Sequence, residues 1–198
     1  MKIKAISSLV ALMLLASVAD ARWGHHGYKF HGFDHSYVGG APFSIIPKED
    51  RAKLSQEQID GLIFMYQEEK LARDVYITLG KLYNARVFKN IQKSEQRHMD
   101  AVKYLLKKYN IDLPVPSDDI GAFDNEELQA LYDELIEKGK ESLKDALEVG
   151  VLIEETDIED LEERIADAPS DIARVYNNLK RGSYNHLRAF RRNLERLQ

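Results

Sequence analysis

The chain has 198 residues, 44% hydrophobic and 31% charged, with five prolines and a net charge of −5. That length supports one domain with a real core plus an extension, and the negative balance does not suggest a nucleic-acid partner. Cysteine is absent, which excludes disulfides, thiolate metal sites and cysteine nucleophiles.

The first stretch reads as a targeting segment. Lys2 and Lys4 give a positive start, and residues 6–16 form an apolar run short for a membrane span. Ala19-Asp20-Ala21 is a small-x-small cleavage signal. Residues 1–21 are therefore expected to be a signal peptide, with Arg22 as the mature start. The protein is expected to be periplasmic or secreted, with no stable membrane insertion after cleavage. Residues 22–50 then read as a disordered arm. Trp23-Gly24-His25-His26-Gly27-Tyr28 continues through His31, Gly32, His35, Gly39 and Gly40 without periodicity. Such a stretch cannot build a core. Its four histidines either bind a divalent metal loosely or lie in a solvated tether.

Residues 51–198 read as all-α, with no strand-like alternation. Ser55 with Gln58 three residues on is a capping box. The stripe behind it is Ile59, Leu62, Tyr66, Glu69, Arg73 and Tyr76. A second helix starts near Val87 and fades at Asn110, with the stripe Phe88, Ile91, Glu95, His98, Val102 and Leu105. Pro114 and Pro116 break the chain. A short helix over 126–137 is expected after the cap pair Asp124 and Glu127, ended by Gly139. The third long helix carries Leu143, Leu147, Gly150, Glu154, Asp157 or Ile158, and Leu161. The fourth follows Pro169 and Ser170 with Ile172, Val175, Leu179, Gly182 or Ser183, His186 and Phe190. This pattern predicts a four-helix bundle with a short extra helix between the second and third long helices.

In the middle of each stripe the apolar pattern is broken. Glu69, Glu95 with His98, Glu154 and His186 stand at the same depth on four helices. An unpaired charge buried there would be strongly unfavourable, so the groups need partners. Glu95-x-x-His98 places both side chains on one face about one turn apart, where they can close on one metal ion. The competing reading is a buried salt-bridge network with Arg73 and Arg188 as counter-charges. Glu155, on the shoulder of its stripe, and Glu68, beside Glu69, read as surface or supporting groups. The mixed oxygen and nitrogen donor set suits Fe, Mn or Zn.

Several of these motifs resemble a known family. Glu69-Lys70-Leu71-Ala72-Arg73 resembles the Glu-x-x-Ala-Arg of the first helix of rubrerythrins. Glu95-Gln96-Arg97-His98 resembles their second-helix Glu-x-x-His, and Gly150 to Glu154 the Gly-x-x-x-Glu of their third. Stretches 68–76, 153–161 and 182–190 resemble an exported ferritin-like family known only as a domain of unknown function. The resemblance covers roughly residues 55–195. It implies a ferritin-like bundle around a carboxylate- and histidine-bridged di-iron or di-manganese centre. It also implies oxidation of Fe(II), or O2 or peroxide chemistry. On that pattern Glu95 would bridge, Glu69 and His98 would hold one metal, and Glu154 and His186 the other. Iron, as one or two ions, is the expected cofactor, with Mn or Zn as alternatives. Tyr66, one turn before Glu69, would donate an electron or hydrogen bond, or simply pack in the core.

One departure from the family pattern stands out. The fourth helix reads Ser183-Tyr184-Asn185-His186, with serine in place of a bridging carboxylate. The second metal position then lacks a ligand unless Glu155 or Asp157 substitutes. Without cysteine there is also no cysteine-bound iron domain, which disfavours an electron-relay peroxidase of the rubrerythrin type. Two functions remain: a ferroxidase- or peroxidase-like oxidoreductase, or a metal-sequestering protein without turnover whose histidine-rich arm captures ions. A homodimer is compatible with either.

Overall fold

Five helices and no strand make up the described residues, 53–113 and 118–197, of the computed structural model. The expected signal peptide, the histidine-rich arm and the break at Pro114 and Pro116 lie outside the described residues. The helices are α1 (Gln56–Tyr83), α2 (Arg86–Lys108), α3 (Glu126–Lys140), α4 (Leu143–Ile165) and α5 (Ser170–Glu195). None of them is long and apolar enough to cross a membrane.

The capping chemistry sets where the helices begin. Ser55 Oγ accepts the Gln58 amide at 3.2 Å, and the Gln58 side chain accepts the Ser55 amide at 3.0 Å. This reciprocal pair satisfies two orphan donors of α1. Asn84, in the left-handed region with φ 51°, ends the helix. The cap of α3 is Asn125, whose side chain accepts the amides of Glu127 and Leu128, and not the expected Asp124. Gly139 does not end α3 either, because the helix runs on to Lys140. A Cβ at Gly139 would stand 2.8 Å from the Leu79 methyl carbons. Its glycine thus serves the close approach of α3 to α1, a packing need that mimics a stop signal in sequence.

The short connections make α1/α2 and α4/α5 into two helical hairpins that pack against each other, with α3 laid over α1 and α4. Along the hairpins lie two apolar clusters. One gathers Val75, Leu79, Phe88, Ile91, Leu147 and Phe190. The other gathers Leu62, Met65, Met99, Val102, Leu161 and Leu179. Between them runs a buried polar band.

α3 and the 118–125 segment also bury the outer face of α1. Lys70 is fully buried and donates to Asp74 Oδ2 at 2.6 Å and to the carbonyls of Asp119 and Ala122. Arg73 donates to Asp74, Gln96 and Asp118. Its guanidinium is therefore engaged on this outer face. Arg188 is exposed and bonds Asn185. The salt-bridge network expected as the alternative would need both arginines at the centre, and the bonds they make lie elsewhere.

Candidate metal centre

Four helices deliver the band. α1 contributes Glu69, α2 contributes Glu95 and His98, α4 contributes Glu154 and α5 contributes His186. All five side chains are buried. Their register is fixed from both sides. Met65 lies one turn before Glu69, and Met99 directly follows His98, both in one apolar cluster. Phe190 lies one turn after His186 in the other. The Phe190 ring sits against Gly150, where a Cβ would come within 2.6 Å of it. Gly150 thereby lets α5 approach α4 one turn before Glu154.

The ligand atoms fall into two groups of three, and Glu95 belongs to both. Glu69, Glu95 and His98 place one donor atom each within 4.8 Å of one another, as do Glu95, Glu154 and His186. Glu95 Oε2 lies 2.8 Å from His98 Nδ1, and Glu95 Oε1 lies 2.8 Å from His186 Nδ1. His98 Nδ1 is also 3.1 Å from Glu69 Oε2, and His186 Nδ1 is 3.4 Å from Glu154 Oε2. The two imidazoles stack with centroids 5.4 Å apart.

These contacts are close, but several are not hydrogen bonds. His186 Nδ1, Glu95 Oε1 and Glu69 Oε1 are buried without a hydrogen-bond partner among the described residues. One ring N–H cannot satisfy two carboxylates at once. Converging lone pairs that miss one another suit a cation placed between them. The donor chemistry fits an iron, manganese or zinc ion on the same grounds. The position of His98 depends on its neighbour as well, since a Cβ on Gly182 would stand 2.6 Å from its Nε2.

The electrostatics follow from this crowding. Burial pushes Glu69 up to about 7 against the pull of His98. Burial together with the charge of Glu95 pushes Glu154 up to about 7. Burial also works against the ionised form of Glu95, but the two imidazoles overcome it and hold Glu95 well below the ordinary carboxylate range. Burial would lower His186, yet Glu95 and Glu154 raise it to about 10. His98 is raised in the same way by Glu69 and Glu95. An ion taking the Nδ1 atoms must therefore displace protons from the imidazoles.

The remaining candidates are placed as follows. Glu155 turns to the exterior and pairs with Arg191, because one residue along a helix rotates the side chain by about 100°. It joins neither three-donor group. Asp157 is buried but joins neither three-donor group. Its Oδ2 accepts from Ser183 Oγ at 2.5 Å. Serine at the place of the expected fourth-helix carboxylate therefore meets a carboxylate supplied by α4. The charged groups around Tyr66 are Asp118, Arg73, Asp100 and Asp74, none of them in the centre.

The tyrosine that reaches the centre is Tyr76, whose hydroxyl donates to Glu154 Oε1 at 2.8 Å. On the sequence Tyr76 stands on the α1 stripe with no role attached to it. Its separation of seven residues from Glu69, two turns, was the available signal. Glu68, expected near the surface, is also buried.

Comparison with known proteins gives relatives without an assigned activity. The family model of the "Uncharacterized protein domain (DUF2202)" matches residues 58–197. A protein of Methanocaldococcus jannaschii called "Uncharacterized protein MJ0754" is 54% identical over 152 residues, covering 76% of this chain and 80% of the relative. The crystal structure of hypothetical protein MJ0754 superposes with a TM-score of 0.73 at 53% identity. It covers 78% of this chain and 87% of that one.

Proposed function

The chain belongs to the DUF2202 family of uncharacterized protein domains, and from the geometry of its buried centre we propose that it is an exported ferritin-like metal-binding protein. The two packed hairpins, with ligands on four long helices, support the ferritin-like reading. The observation that carries the metal is Glu95. Its two oxygens each stand 2.8 Å from a different imidazole Nδ1, and Oε1 has no hydrogen-bond partner. Glu69 and His98 would hold one ion, Glu154 and His186 a second, and Glu95 would span both. Iron comes first among the candidates, with Mn or Zn as alternatives.

The chain's own residues then have separable roles. Tyr76 ties down Glu154 Oε1 and leaves Oε2 for an ion. The stacked imidazoles, each with Nδ1 beside Glu95, would give up their protons on taking an ion. The apolar clusters on either side keep bulk water from the donors. Iron held there would supply Fe(II) oxidation or peroxide reduction.

A non-catalytic reading is favoured by one feature, the histidines at 25, 26, 31 and 35, which would capture ions for the bundle to sequester. One experiment separates the two. The exported chain is purified, its metal content is measured, and Fe(II) is added in air while near-ultraviolet absorbance is followed. Turnover supports the oxidoreductase. Tight Zn with no oxidation supports the sequestering protein. A chain that takes up no metal sinks both. The mass of the same sample tests cleavage after Ala21, which removes residues 1–21.

A further inference from the structure

Glu68 has no part in the centre described above, yet it is buried with neither carboxylate oxygen hydrogen-bonded. Asp157 Oδ1 and Asp160 Oδ2 share that condition. On α4, Glu154, Asp157 and Asp160 recur every three residues, about 4.5 Å apart along the axis. From α1, Glu68 reaches to Asp160 and faces Asp157. Asp157 in turn faces Glu69 and Glu154. Buried carboxylates therefore influence one another in series from the metal centre through Asp157 and Glu68 to Asp160.

The outer end of this row is closed by one cation. Arg164 Nη1 lies 3.2 Å from Asp160 Oδ1. Its guanidinium rests 4.3 Å over the Phe64 ring, and its stem lies 3.7 Å from where a Cβ of Gly61 would be. The Arg164 side chain is 16% exposed against 4% for Asp160, so Arg164 stands between the row and solvent. Two buried carboxylates, Asp160 and Glu68, feel this one arginine, and Asp157 lies behind them without it. A row so poorly neutralised is unfavourable unless a proton or a cation visits it. All its donors are hard oxygens with no imidazole among them, a set that holds a divalent ion loosely. The centre adds nitrogen and retains the ion.

We propose that Asp160, Glu68 and Asp157 form an entry route for a divalent cation, leading from the α1/α4 seam at Arg164 to Glu69 and Glu154, with Arg164 as its plug. The route rests on the metal-binding reading of the centre. Inside the row the ion passes between carboxylates at nearly constant donor chemistry, and the step into the centre adds His98 or His186.

The test uses Co(II) as probe on the full exported chain, with uptake followed by stopped-flow absorbance and the end-point by equilibrium titration. Glu68→Gln and Asp160→Asn keep the shape and hydrogen-bonding capacity of a protonated acid while removing the charge. Each is expected to slow Co(II) uptake at least tenfold, and the amount bound at equilibrium stays unchanged. Arg164→Gln, at the outer end, is expected to speed uptake. Uptake rates within twofold of the unmodified protein in all three variants would overturn the route and mean that the carboxyls simply hold protons. A loss of equilibrium binding in Glu68→Gln or Asp160→Asn would overturn it too, by making these residues ligands. If the unmodified protein takes up no Co(II), the centre fails first and the route with it.

Discussion

The apolar ends of the two hairpins and the polar band between them are built from the same helices with the same spacing, yet they do opposite things. At the ends, Leu62, Leu79, Phe88 and Val102 are fully buried and packed against their own kind. They hold the fold whatever the solution contains. In the band, Glu69, Glu95 and His186 each bury an atom that nothing among the described residues satisfies. The ends thus carry the stability, and the band spends part of it. Arrangements of this kind are expected where function sets the residue types.

The sharpest way to break this contrast is at the ends. Leu79→Ala removes a fully buried side chain ten residues beyond Glu69 and should cost about 2–5 kcal/mol in chemical denaturation. The loss should be equal with metal and with chelator. His98→Ala should behave in the opposite way. It should lower metal content, and its destabilisation should be larger in metal-containing buffer, by about 2.7 kcal/mol at an ion concentration near 100 times Kd. Equal losses in both buffers would return the band to a plain ion-pair network. Tyr76→Phe leaves Glu154 Oε1 unpaired and should cost about 1–3 kcal/mol in chelator.

A smaller effect tests the far end of α5 by pH. Asp171 is partly buried, which works against its charge. Lys108 Nζ at 2.8 Å and the Tyr109 hydroxyl nonetheless bring it below the ordinary aspartate value. A lowered carboxylate stabilises the fold above its unfolded-state value, about 3.9, and that contribution is lost as pH falls through the folded value. The gap between the unmodified protein and Asp171→Asn should therefore close on acidification below about pH 4. Smallest of all, Glu155→Ala removes a partner of a half-exposed arginine. It should change stability by less than about 0.5 kcal/mol and leave metal content unchanged.

The features legible in the sequence were those that period and capping specify. Ser55 with Gln58 marked the start of α1, and the stripes put Glu95, His98 and His186 inward. Glu154 and Glu155 were separable only by angle, and Glu154 is the one that turns in. What escaped were consequences of partners far along the chain. Glu68 reads as a surface or supporting group because it lies about 100° from Glu69. But α1 is covered on more than one face, and its burial extends to Lys70, Arg73 and Asp74. α4 covers Glu68, while α3 and residues 118–125 cover Lys70, Arg73 and Asp74, and no local pattern announces either docking. Asp157 and Ser183, 26 residues apart, meet only once α4 and α5 are paired. Gly139 carried the mark of a helix end but answers to the bulk of Leu79 on another helix.

The shared ligand also gives the centre a direction in time. Glu69, Glu95 and His98 lie within α1 and α2, and the ends of that set are 29 residues apart. The first hairpin therefore carries a complete three-donor set as soon as it has left the ribosome. Glu154 and His186 form no such set until they can borrow Glu95 from that earlier hairpin. The second half must wait for the first. A chain halted after α2 would already own one three-donor set, and a chain beginning at α4 would own none.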